Sequence, residues 1–205
     1  MASGEEKTEV ARSQVPVKGS KVELVVVLLR FIAFFATLSA TLVMALNKQT
    51  KTITVATIGT VPVRATLTAK FHHTPAFVYF VIANGNASLH NLLMLVVTFM
   101  GAKCNFKRLA PLAIPILDLM NVSILSGGAS AAVFMGQLGR NGNSHARWNK
   151  ICDKFESFCD RSGGAMIASF IGLMLMIIIC SLSIIKTLRN NHNSDKLVPN
   201  SSVVP

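Results

Sequence analysis

Four long apolar runs, separated by short charged stretches, limit this chain more than any other feature. A bilayer core is roughly 30 Å thick, so a crossing helix needs about 20 largely apolar residues. Runs 22–46, 76–100, 109–135 and 163–185 all meet that length. Half of the chain is apolar (51%), and charged residues make up only 14% of it despite a net charge of +11. Charges that sparse must collect between the runs, which is the pattern of a polytopic membrane protein. The fold expected is all-α, a four-transmembrane-helix bundle over 22–185, with a polar head 1–21 and an Asn/Ser-rich tail 186–205 that lack regular structure.

The basic charge does not point to nucleic acid. The bases form no single stripe, and one Trp and one Tyr offer little for stacking. Bases beside membrane spans contact lipid headgroups and set orientation. The first run is not expected to be a cleaved signal peptide, because it contains Arg30 and follows a predominantly polar head of 21 residues. Enzyme motifs are missing: there is no Gly-rich phosphate loop, HExxH, GxSxG or CxxC. The sequence therefore calls for no cofactor, no metal and no catalysis.

Four spans place both termini on one side. Counts of Lys and Arg are nearly equal on the two sides, but their density in loop 101–108 and just after the fourth span favours cytosolic termini. Loop 136–162 holds Cys152 and Cys159. If they are bridged, that loop faces the oxidising exterior and the termini face the cytosol. Two free thiols remain the alternative. Cys104, in the basic loop 101–108, is a possible palmitoylation site. Loop 47–75 alternates Thr with apolar residues, which suggests a short extracellular hairpin or extended segment.

Arg30 and Asp118 are the most informative residues. A charge at mid-membrane costs on the order of 3 kcal/mol on insertion scales. Arg30 is eight residues past Val22 and Asp118 nine past Leu109, on helices that run the same way. At 1.5 Å per residue both lie roughly 12–14 Å deep, so they should pair. Asn91 reaches that depth from the second span, with His90 beside it and Asn121 one turn above Asp118. A buried polar layer of Arg30, Asp118, Asn91, His90 and Asn121 is expected. Pro115 removes a helical donor and should kink the third span just before Asp118. Snorkelling of Arg30 to the headgroups, or a contact with Glu23, is the simpler alternative. A proton or ion relay through the layer is the bolder one.

Helices in lipid associate through close packing. Gly164, Ala168 and Gly172 share one face of the fourth span, and Ser123, Gly127 and Ala131 share one face of the third. Either face could serve the bundle itself or contacts between copies.

The first span VVLLRFIAFFATLSATLVMALN, the third span PLAIPILDLMNVSILSGGASAAVFMG and the loop-three run WNKICDKFESFCDRSGGAMIASF together resemble the plant Casparian strip membrane-domain-like (CASP-like) proteins, most closely their first group. Their topology is similar to that of the MARVEL-domain proteins of animal junctions. The resemblance covers nearly all of residues 20–190 and places the family's Arg and Asp on Arg30 and Asp118 and its loop cysteines on Cys152 and Cys159. It implies a plasma-membrane scaffold that forms homo- and hetero-oligomers with itself and related CASP-like proteins, in contact with the lipid bilayer and with cell-wall-modifying enzymes. Loop one, TVPVRATLTAKFHHTPAF, lacks the short aromatic stretch of the true Casparian strip proteins, so a general scaffold is expected rather than strip formation. A channel or transporter subunit that uses the buried Arg–Asp layer is the competing reading.

Overall fold

The computed structural model describes residues 18–100 and 110–195. Four helices are long and apolar enough to cross a membrane: α1 (Lys18–Leu46), α2 (Pro75–Met100), α3 (Ala110–Asn141) and α4 (Glu156–Asp195). The protein is a membrane protein with a mainly helical fold. A long antiparallel hairpin, β1 (Lys48–Ile58) and β2 (Val61–Lys70), joins α1 to a 3-10 turn at Phe71–His73 and so to α2. Cys104, the possible palmitoylation site, lies outside the described residues.

Extensive contacts run α1–α2, α2–α3, α3–α4 and α4–α1, so the helices form a ring. Across its centre α1 faces α3 and α2 faces α4. In an up-and-down ring these diagonal partners run parallel. The end where α1 begins and α4 finishes is the terminal end, where Lys186 pairs with Glu23 at 2.8 Å. The opposite end carries the hairpin.

Each helix turns a stripe of small or apolar residues inward at three- and four-residue spacing. On α1 the stripe is Arg30, Ala33, Thr37, Ala40 and Met44, all 4% exposed or less. Two apolar clusters fill the centre. One, nearer the hairpin, contains Met44, Phe80 and Phe158; the other contains Ala33, Leu125 and Met176. Outward faces carry exposed large apolar side chains such as Phe31, Phe35, Leu93 and Ile178. In water such a surface would aggregate; in lipid it is the solvated face.

The elements run past the sequence expectations in five places. The hairpin is not short, since its strands span 11 and 10 residues. Gly59 takes a positive φ of 64° at its tip, as a two-residue turn requires. Cross-strand hydroxyl pairs Thr50–Thr68 (3.0 Å) and Thr52–Thr66 (3.1 Å) brace one face. α3 continues beyond 135 to Asn141, and α4 begins before 163, at Glu156, and runs on to Asp195. The tail expected to lack structure from 186 is thus helical through Asp195, and α1 likewise starts inside the head, at Lys18. Hydropathy reports how much of a helix sits in lipid; outside it, helix continues wherever no breaker intervenes.

Candidate functional site

Asp118 lies on α3 and is fully buried. Its carboxylate accepts from all three other helices. Arg30 of α1 donates through both terminal nitrogens, Nη1 to Oδ1 at 3.0 Å and Nη2 to Oδ2 at 2.6 Å. His90 of α2 lies 2.7 Å from Oδ1 through its Nε2. Ser183 of α4 donates to Oδ2 at 3.3 Å. A carboxylate can only accept, so Nε2 of His90 carries the proton.

The local sequence explains the convergence. Arg30 sits on the inward stripe of α1, and its side chain is long enough to cross the diagonal to α3. The guanidinium fork matches the two carboxylate oxygens, which gives the bidentate form of the bond. His90 and Ser183 reach Asp118 from the two flanking helices. Each oxygen thereby has two donors, and neither charge is left without a partner in a low-dielectric interior.

The residues expected in this layer divide. Arg30, Asp118 and His90 come together. Asn121 is buried one turn away, accepts from Asn86 Nδ2 at 3.0 Å, and donates to the Leu117 carbonyl at 2.9 Å. Asn91 does not join the layer: its Nδ2 donates to the Ala87 carbonyl at 2.9 Å and meets the Met176 sulfur at 3.0 Å. Adjacent helical residues diverge by about 100°, so His90 and Asn91 cannot face the same carboxylate. With Arg30 tied to Asp118, it neither snorkels nor meets Glu23. Ser183 is the member that the sequence did not single out, because serine is common in such spans. Pro115 is buried inside α3, and the Cys180 thiol lies 4.0 Å from its carbonyl.

Three further buried groups form a second polar feature. Asn84 Oδ1, Asn91 Oδ1 and Ser169 Oγ are fully buried with no hydrogen-bond partner. Asn91 of α2 touches Met176 of α4, and Asn84 and Ser169 each lie seven residues nearer the hairpin. On parallel helices the two unpartnered groups therefore share a level.

The small-residue faces also divide. Gly172 is buried against α1: a Cβ there would lie 2.7 Å from Thr37 Cγ2. Gly164, by contrast, is exposed with nothing within 4 Å, and Ala168 is half-buried. The inward face of α4 is Ala165, Ser169 and Gly172. On α3, Ser123 and Gly127 are exposed and Ala131 is half-buried; Gly127 lies beneath the Tyr79 ring, with a notional Cβ 3.1 Å from its hydroxyl. The close approach belongs to Gly128, where a Cβ would come within 2.6 Å of the Ala83 Cβ. Neither predicted stripe is thus the inward one as a whole, because consecutive small residues in SGGASAA supply candidates for both faces.

At the hairpin end Cys152 and Cys159 form a disulfide with a Cα–Cα distance of 5.6 Å. The Gly139 carbonyl accepts from the backbone N–H of Ile151 (2.8 Å) and of Cys152 (3.2 Å), which holds the loop on the end of α3. Asn47 Nδ2 donates to the Phe158 carbonyl (2.8 Å) and to Ser162 Oγ (2.9 Å), and Gln49 Oε1 accepts from Phe158 N–H at 2.8 Å. Those bonds latch the root of the hairpin to the start of α4.

The family model of the Casparian strip membrane protein domain matches residues 19–175. The chain is similar to CASP-like protein 1B2 of Populus trichocarpa, 60% identical over 184 residues that cover 90% of this chain and 92% of the relative. It is 57% identical to CASP-like protein 1B2 of Vitis vinifera over 194 residues, covering 93% and 95%. Against CASP-like protein 1B2 of Arabidopsis thaliana it is 54% identical over 176 residues, covering 86% and 89%. No solved structure matches it. With its domain match over most of the length and relatives this similar, the chain belongs to the CASP-like family, group 1.

Proposed function

We propose that this protein is a plasma-membrane scaffold, with both termini cytosolic, that associates with itself and with related CASP-like chains to organise a membrane domain and guide local cell-wall modification. The observation that carries the reading is the arrangement at Asp118. Every helix contributes to one closed set of donors and acceptors, which makes a rigid unit rather than an open path. A rigid bundle with an apolar exterior is what lateral assembly in lipid requires. Exposed small residues Ser123 on α3 and Gly164 on α4 offer places where another helix could approach closely. The disulfide at the hairpin end favours an external hairpin, since disulfides persist on the oxidising side.

Chemical crosslinking combined with native-mass measurement in mild detergent tests the reading. Dimers or larger species are expected, and slow photobleaching recovery in the cell membrane should accompany them. A strictly monomeric, freely diffusing protein would overturn it.

One observation favours a channel or transporter subunit instead: the buried oxygens Asn84 Oδ1 and Asn91 Oδ1 on α2 and Ser169 Oγ on α4, which have no hydrogen-bond partner. Burying such groups costs about 1–3 kcal/mol each unless something bonds them. Proteoliposome flux that disappears in Asn84→Leu would support that second reading; no flux above empty liposomes would dismiss it.

A further inference from the structure

The outer face of α2 carries a pattern that the bundle itself does not use. Tyr79, Ile82, Asn86, Leu89 and Leu93 follow one another at spacings of three, four, three and four, and all five are exposed. Side chains at that alternation form the seam of a coiled coil, where one helix meets another side by side. Ile82, Leu89 and Leu93 are each 55% exposed or more, so the seam is turned away from α1 and α3.

Asn86 stands in the middle of this stripe. It lies eleven residues past Pro75 and fourteen before Met100. At 1.5 Å per residue those ends are roughly 17 and 21 Å away. Lipid tails at such a depth offer an amide neither donor nor acceptor. Exposed hydroxyls on the other helices avoid the problem: Ser39, Ser123 and Ser181 each donate to a carbonyl of their own helix, at 2.9, 3.0 and 2.9 Å. The other mid-span amides, Asn84, Asn91 and Asn121, are buried.

An asparagine amide has two N–H donors and an acceptor oxygen. Asn86 Nδ2 donates to Asn121 Oδ1 at 3.0 Å, and its side chain makes no other bond among the described residues. One donor and one acceptor are therefore left facing outward. A second Asn86 supplies both of the missing partners. Around a two-fold axis along the membrane normal, two α2 helices run parallel and each seam residue meets its own copy. Oδ1 of each Asn86 then accepts from the free N–H of the other, while the bonds to Asn121 stay in place.

We propose that α2 is the contact surface between two copies of this chain, with Asn86 paired to Asn86 across the axis. The inference rests on the self-association proposed above and names its surface. Apolar seam positions alone gain little over lipid tails, so the amide pair is what selects this face. A single asparagine within an apolar seam also fixes register and the number of helices.

Energy transfer between donor- and acceptor-labelled full chains in liposomes, followed over a range of protein-to-lipid ratios, gives the dissociation constant. Asn86→Leu should raise it about tenfold, the effect of two interhelical hydrogen bonds, with an unchanged helical circular dichroism spectrum. Leu89→Cys leaves the bond between Asn86 and Asn121 intact. In chains that also carry Cys104→Ser, oxidant should crosslink Leu89→Cys from copy to copy. Ile178→Cys, at an exposed position on α4, should not crosslink. Wild type that associates no more tightly than Asn86→Leu, or crosslinking at position 178 instead of 89, would overturn this interface and leave self-association standing. Wild type without energy transfer at any ratio would overturn both.

Discussion

At the terminal end of the bundle one carboxylate collects donors from three helices, whereas at the hairpin end small residues, aromatic packing and a disulfide hold the parts together. The first region relies on charge that lipid makes costly to expose, so its partners have little freedom to rearrange. In the second region no single group is indispensable. Phe77 and Phe158 pack at 6.1 Å between ring centres, Asn47 and Gln49 tie the hairpin root, and Cys152–Cys159 closes the loop. The difference teaches where specificity resides. Apolar contacts in lipid gain little over contacts with lipid tails, so they fix helix register weakly unless shapes interlock. A buried ion pair fixes register because any slip strands a charge.

That contrast breaks most readily at Asp118. Asp118→Ala strands Arg30 and leaves His90 and Ser183 without an acceptor, so a loss of about 3–5 kcal/mol is expected, read as lost monodisperse expression or early unfolding in bicelles. Arg30→Ala should cost less than Asp118→Ala, because His90 and Ser183 still serve the carboxylate. If the order reverses, the carboxylate is not the centre of the region. Replacing Cys152 and Cys159 together by Ser should cost roughly 2.5 kcal/mol, seen as a lower unfolding temperature that reductant no longer changes. Gly128→Val should cost about 1–3 kcal/mol by overpacking against Ala83, whereas Gly164→Val should leave thermal stability unchanged. Ser183→Ala removes one bond at 3.3 Å and should cost only about 0.6 kcal/mol, measurable in a detergent unfolding titration.

Much of the first region could be read in advance, because charges inside apolar runs are rare and costly. Arg30 and Asp118 stood out for that reason, and equal depth on parallel helices supplied the pairing. His90 came with them, but its neighbour Asn91 points to another helix, a distinction that needs the rotation of α2. Ser183 gave no signal, since a serine in lipid satisfies itself on its own helix. The second region was less legible. Alternating threonines suggested a short hairpin or an extended segment, and did not reveal that its strands run to 11 and 10 residues. Runs such as SGGASAA carry small residues on every side, so Gly128 could not be chosen over Gly127 without the position of Ala83. Helix ends were misplaced because charge ends an apolar run without ending a helix.

The most direct test of the account is a double-mutant cycle on Arg30→Met and Asp118→Leu, with unfolding free energies measured in bicelles. If one carboxylate meeting one guanidinium sets the bundle, each single variant is strongly destabilised, the double variant regains much of the loss, and the coupling exceeds about 2 kcal/mol. Additive losses, with the double variant weaker than either single one, would contradict it.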